Sequence, residues 1–125
     1  RYTTSNAVHQ ACKLPEEAWE GFFQWLYDFE CGKLGLPLPD RVIYLDMPTQ
    51  KAVELLRSRE EATHTKGDIH EVDTDYLALC RRTALRAAEV LGWTRVACLD
   101  ETGALRRPED IHQEIWGLLA QTIED

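Results

Sequence analysis

The sequence predicts an α/β fold built on a parallel sheet. Three observations carry that class. Two short runs, Arg41–Asp46 and Trp93–Leu99, are apolar in their middles and read as buried strands. Each is followed by a helical pattern opened by a proline, at Pro48 and at Pro108. The remaining apolar residues recur at three- and four-residue spacing, the period of a helix face. The expectation is about two strands and four to five helices in one domain over residues 1–125.

The elements follow in order. Asn6 to Lys13 suits a helix start or a short helix. Pro15-Glu16-Glu17 opens a second helix, because proline fits the first turn and acids suit its positive end. Trp19, Phe22, Phe23, Leu26 and Phe29 should face a core. Gly32 and Gly35 stop this helix, and Leu36–Asp40 is an extended lead-in to the first strand. After Pro48, Ala52, Val53, Leu55 and Leu56 supply the apolar positions of a third helix. Residues Arg57–Glu71 have almost no apolar content and read as a mobile loop or frayed helical flap. Asp73 is the expected N-cap of a long helix ending at Gly92. Tyr76, Cys80, Ala84, Ala87 and Leu91 mark its buried stripe, with Arg81, Arg82 and Arg86 facing water. Asp100–Gly103 is the turn after the second strand, and the last helix should turn Ile111, Ile115, Leu118 and Leu119 inward. Two parallel strands alone leave both edges open, so further strands are expected before Arg1.

The net charge of −8 and the pI of about 5.0 repel duplex nucleic acid, which argues against a nucleic-acid partner. They do not argue against a single phosphorylated small molecule, which needs only a few well-placed cations. No apolar run approaches the roughly 20 residues that span a bilayer, so no membrane partner is expected. Cys12, Cys31, Cys80 and Cys98 form no CxxC pair and read as reduced, buried thiols of a cytoplasmic protein. The four histidines match no metal-ligand spacing, and no metal site is expected.

Arg1-Tyr2-Thr3-Thr4-Ser5-Asn6-Ala7-Val8-His9-Gln10 combines a cation with amides and hydroxyls. An arginine binds phosphate through two parallel hydrogen bonds, and amides match the donor–acceptor edge of a base. The same residues also suit a solvated loop and helix cap. Arg57, Arg59 and Lys66 lie in the charged segment, where cations can close over transferring phosphates or simply stay solvated. No GxxxxGKS or GxxxxGKT loop occurs, so these residues contain no backbone cradle for donor phosphates.

Taken together, these segments resemble a known family. Arg1–Gln10 resembles the back of the DRY-x-x-S-N-A-x-Y-Q segment of thymidylate kinases, Pro39–Asp46 the family's PD…YLD strand, and Asp68-Ile69-His70-Glu71 its D-x-x-E after the LID. The spacing to Tyr76 and to Asp110–Ile115 also fits. The resemblance runs through essentially the whole chain in order.

It implies the C-terminal part of a P-loop nucleoside monophosphate kinase fold, with a LID at about residues 57–71. The implied reaction moves the γ-phosphate of ATP to dTMP with Mg²⁺, and the 125 residues alone are expected to be inactive. By position, Arg1 would bind the dTMP phosphate, Asn6 the thymine edge, and Ser5 and Gln10 the same pocket. His9 stands where many members place a tyrosine near the sugar. Arg57, Arg59 and Lys66 would neutralise the transferring phosphoryl group, and Glu71 matches the acid that closes the LID motif. The loop at Asp100 falls where the family lays its backbone beside adenine. Members are commonly homodimers, with helices such as Glu17–Glu30 near the contact. A deoxynucleoside kinase, or a non-catalytic binding or assembly domain on the same fold, are the alternatives. Tyr2 favours the monophosphate kinase over the former, because nucleoside kinases usually carry Glu-Arg-Ser or Asp-Arg-Ser there.

Overall fold

The computed structural model describes residues 2–63 and 73–124. Among them the chain is mixed α/β. The helices are α1 (Thr3–Ala11), α2 (Trp19–Tyr27), α3 (Thr49–Thr63), α4 (Thr74–Leu91) and α5 (Pro108–Glu124). The strands are β1 (Ile43–Asp46) and β2 (Thr94–Ala97), paired in parallel with Ile43 opposite Thr94 and Asp46 opposite Ala97. The α3–α4 region joins them, as a parallel pair requires a crossover. Both strands are shorter than the sequence pattern suggested, because pairing needs both partners and reaches only four residues on each.

The core sits between α1, α2 and α4. Ala7, Ala11, Trp19, Phe23, Leu26 and Ala87 are buried together, with Leu79, Leu91 and Trp93 against them. Small alanines on α1 and α4 let the two axes approach, while Trp19 and Phe23 of α2 fill the remaining gap. Trp19 also donates its indole N–H to the Leu14 carbonyl at 3.1 Å, so its polar atom is satisfied.

Phe29 corrects the predicted α2 face. It is exposed rather than buried. It stacks on Trp25, on the flank of α2 beside the buried Trp19–Phe23–Leu26 face, where the chain leaves the regular helix for a wider, π-type turn over Asp28–Lys33. Trp25 and Phe29 stack there at 5.4 Å with planes 3° apart, in contact with solvent. Gly35 then ends the segment with a φ of 75°, a left-handed conformation suited to glycine.

The α4 boundaries follow local chemistry. The Asp73 carboxylate accepts the Tyr76 N–H at 2.9 Å, and Gly92 closes the helix at a φ of 72°. Thr83, Ala84, Ala87 and Ala88 form its buried stripe; Tyr76, predicted inside, is exposed at the first turn. The first residues of the charged segment, Arg57 to Thr63, continue α3 as regular helix.

The sheet is less enclosed than a continuous apolar strand implies. Val96 is fully buried, but Leu45 is exposed, because its side of β1 lines an open groove. The last helix α5 packs on β2 without burying any residue completely, and Leu119 is exposed. Polar ties hold it instead. Arg41 donates to the hydroxyls of Thr94 and Thr122, and Arg106 to the Ala97 carbonyl and to Glu114. Only Cys98 of the four cysteines is buried; Cys12, Cys31 and Cys80 are half-buried free thiols.

Candidate functional site

α1 divides the predicted binding residues between two of its flanks. Residues four apart share a helix face, and adjacent residues lie about 100° apart. Ser5 and His9 therefore point together to one side, and Asn6 and Gln10 to another. The first side opens on a groove of about 450 Å³ between α1, β1, α3 and α4. Its walls include Tyr44, Leu45, Met47, Ala52, Leu77 and Arg81. The second side borders a shallower hollow shared with Phe22, Trp25, Phe29 and Glu30.

Each flank has its own polar partner. On the second, the Asn6 amide donates to Glu30 Oε1 at 3.0 Å, and the Thr3 hydroxyl donates to Glu30 Oε2. Glu30 thereby fixes the Asn6 side chain and leaves its carbonyl oxygen for another donor. On the first, His9 Nδ1 lies 3.4 Å from the Tyr76 hydroxyl and 3.8 Å from Cys80 Sγ.

The strongest electrostatic feature was not anticipated from the sequence. Asp46, at the carboxyl end of β1, is 2% exposed. Arg81 from α4 meets it at 2.9 and 3.3 Å, and Arg95 from β2 at 2.6 Å. Burial pushes the Asp46 carboxyl up, but the hydrogen bonds and charges of the two guanidiniums outweigh it and hold it below its ordinary value. Its grip in turn raises Arg81. Arg81, expected on the water-facing side of α4, instead forms part of the groove wall. Arg82 and Arg86 do lie at the surface, where both pair with Glu16 and sit over the Trp19 ring at 5.7 and 5.9 Å.

The other predicted residues fall outside this cluster. Arg57 and Arg59 are on the exposed end of α3. Arg57 is five residues beyond Ala52, hence about 7.5 Å further along the axis than the last α3 residue lining the groove. Asp100 turns its carboxylate onto its own loop. It accepts from the Thr102 hydroxyl and N–H and from the Ala104 N–H, and these bonds hold its carboxyl low. Arg1, Lys66 and Glu71 lie outside the described residues, as does the rest of the LID beyond Thr63.

Among the described residues no group of three His, Cys, Asp or Glu side chains is placed to hold a metal ion. The buried carboxylate, Asp46, is already engaged by two arginines. The described residues do not fit a Mg²⁺ site. Among the same residues no helix is long and apolar enough to cross a membrane.

Sequence signals for the missed residues were weak. Asp46 ends an apolar strand, where a carboxylate also reads as a loop residue, and Arg81 shares the polar spacing of Arg82.

No protein-family model matches the chain, and no solved structure matches it. Two curated proteins do. Both are described as thymidylate kinase, from Mycobacterium tuberculosis strains CDC 1551 / Oshkosh and ATCC 25618 / H37Rv. Each is 36% identical over 98 residues, which cover 74% of this chain and 44% of the relative. The chain thus spans less than half the length of the curated relatives it matches. With that identity along most of its length, the chain belongs to a thymidylate kinase-related family.

Proposed function

We propose that these residues form the acceptor side of a kinase that transfers the γ-phosphate of ATP to dTMP, giving dTDP. The observation that carries the reading is the convergence of Ser5 and His9 with Arg81 on one groove beside β1. Ligands of α/β proteins bind near the carboxyl ends of parallel strands, and Asp46 anchors Arg81 at that end. The named relatives supply the substrate class.

In this reading the nucleotide straddles the outer ridge of α1. Asn6, oriented by Glu30, takes the thymine edge, and Gln10 lines the same side. His9 and the Tyr76 hydroxyl bound the sugar on the other flank, with Ser5 beside them. Arg1 binds the monophosphate. Arg57, Arg59 and Lys66 neutralise charge on the transferring phosphoryl group as the LID closes, with Glu71 at its end, and the Asp100 turn borders adenine. Phosphoryl transfer is mostly positioning plus charge neutralisation. A cradle for the donor phosphates is therefore indispensable, and the 125 residues contain no GxxxxGKS or GxxxxGKT loop. The activity belongs to these residues joined to a segment that supplies that loop and the Mg²⁺ ligands. A homodimer through the α2 region is part of the same proposal.

The test is a coupled assay of ADP release with dTMP, dUMP and thymidine, using the intact protein that contains these residues. Fastest turnover of dTMP is expected. Preference for thymidine would instead assign a nucleoside kinase, and no turnover of any of the three would remove the reading.

A further inference from the structure

Cys12 closes the C-terminal end of α1, and Cys80 lies in the second turn of α4, 68 residues later. Their sulfurs are 3.6 Å apart. Neither thiol is sealed in the core; both are half-buried, and Cys80 lines the groove. The other two cysteines, Cys31 in the π-type turn and Cys98 after β2, show no such pairing with each other or with this pair. The neighbourhood of Cys80 is polar on one side. Thr83 Oγ1 lies 3.5 Å from Cys12 Sγ, and His9 Nδ1 lies 3.8 Å from Cys80 Sγ.

We propose that Cys12 and Cys80 are a redox site, an oxidisable thiol pair that a hydroperoxide converts to a disulfide joining α1 to α4. A disulfide needs its sulfurs at about 2.05 Å, so the gap of 3.6 Å closes by side-chain rotation and a small approach of two helices already in contact.

The steps balance as follows. The Cys80 sulfur, which faces the groove, attacks the distal oxygen of the hydroperoxide. The O–O bond breaks, an S–O bond forms, and an alcohol or water leaves, taking up the thiol proton relayed by His9 Nδ1. Sulfur is oxidised by two electrons and the peroxide is reduced by two. Cys12 sulfur then attacks Cys80 sulfur. The S–S bond forms, the S–O bond breaks, and the hydroxide leaves as water with the Cys12 proton. Burial pushes the Cys80 thiol up, so this sulfur rests as a thiol until an oxidant arrives and His9 takes its proton. Once formed, the bond fixes the helix carrying Ser5, Asn6 and His9 against the helix carrying Arg81.

The experiment exposes the intact folded protein that contains these residues to hydrogen peroxide and, after quenching, maps which of its four thiols within these 125 residues remain free. The count should fall from four to two. Mass spectrometry of an unreduced digest should recover the Cys12 peptide linked to the Cys80 peptide, and reductant should restore all four thiols. Cys31→Ser and Cys98→Ser should each still lose two thiols, whereas Cys12→Ser and Cys80→Ser should give no intramolecular link. Four surviving thiols would overturn the proposal. So would a link that includes Cys31 or Cys98, or a Cys80 oxidised beyond sulfenic acid while Cys12 stays free. The mapping uses the unsubstituted chain, so the result stands even where a serine variant folds poorly.

Discussion

Arg81 grips Asp46 at two points, with Nε 2.9 Å from Oδ1 and Nη2 3.3 Å from Oδ2. The contact joins the middle of α4 to the end of β1, and Arg95 on the paired strand completes it at 2.6 Å. A carboxylate removed from water is costly unless every lone pair finds a donor. Here two partly exposed guanidiniums supply three hydrogen bonds, so the pair orients the groove wall as well as the strand end.

Asp46→Asn removes the charge while keeping the shape. The expected loss is about 1.5–3 kcal/mol, the range for hydrogen bonds to charged groups. Urea unfolding of the two proteins measures it, and a change under about 0.5 kcal/mol would show that the arginines contribute no net stability there.

Acid should erase the same contribution. Burial raises the Asp46 carboxyl, the two arginines lower it further, and its folded pKa lies below the unfolded value of about 3.9. Its stabilisation is complete above the unfolded pKa and is lost as pH falls through the folded one. Melting temperature followed from about pH 6 to about pH 2 should drop more steeply for the parent than for Asp46→Asn. Parallel curves would mean that Asp46 does not titrate differently on folding.

Two aromatic truncations on α2 should behave oppositely. Phe23 is completely buried and Trp25 is 56% exposed. Phe23→Ala should cost about 3–5 kcal/mol, and Trp25→Ala under about 1 kcal/mol. Equal losses in denaturant titrations would contradict the face that α2 turns to the core.

The ends of α4 give a matched pair. Asp73→Ala loses the bond to the Tyr76 N–H and should cost about 1 kcal/mol. Gly92→Ala meets no atom within 4 Å but must hold a φ of 72°, which also costs about 1 kcal/mol. The two sites are remote from each other, so the double variant should show the sum.

Under the proposed role of Asn6 in base recognition, Glu30→Ala should weaken dTMP binding by about tenfold, equivalent to about 1.4 kcal/mol, by freeing the Asn6 amide. Calorimetry on the intact protein checks it. Unchanged affinity would separate Asn6 from base recognition.

Much of the fold was legible because its signals act over a few residues. Asp73 and Gly92 mark α4 through bonds and dihedrals within one turn of themselves. Pro48 and Pro108 mark helix starts in the same way, and β1 and β2 follow from short apolar runs. Phe29 was misread for a physical reason. Its spacing of three from buried Leu26 is helical, but so is its spacing of four from exposed Trp25, and the stacking of those two rings puts it on the outer side.

The sequence by itself therefore determined the α/β class, the order of its elements, and the caps that bound α4. The family relationship was also written there, in the Arg1–Gln10 and Pro39–Asp46 segments. Tertiary structure alone decided which polar groups meet. Asp46 and Arg81 are 35 residues apart, Asn6 and Glu30 are 24 apart, and Cys12 and Cys80 are 68 apart. In one dimension each is a charged, amide or thiol side chain with an ordinary solvated or buried role. The packing of α1 and β1 against α4 turns Arg81 from a surface cation into a groove residue, because the buried carboxylate at the end of β1 needs donors, and α4 delivers one beside the Arg95 of β2.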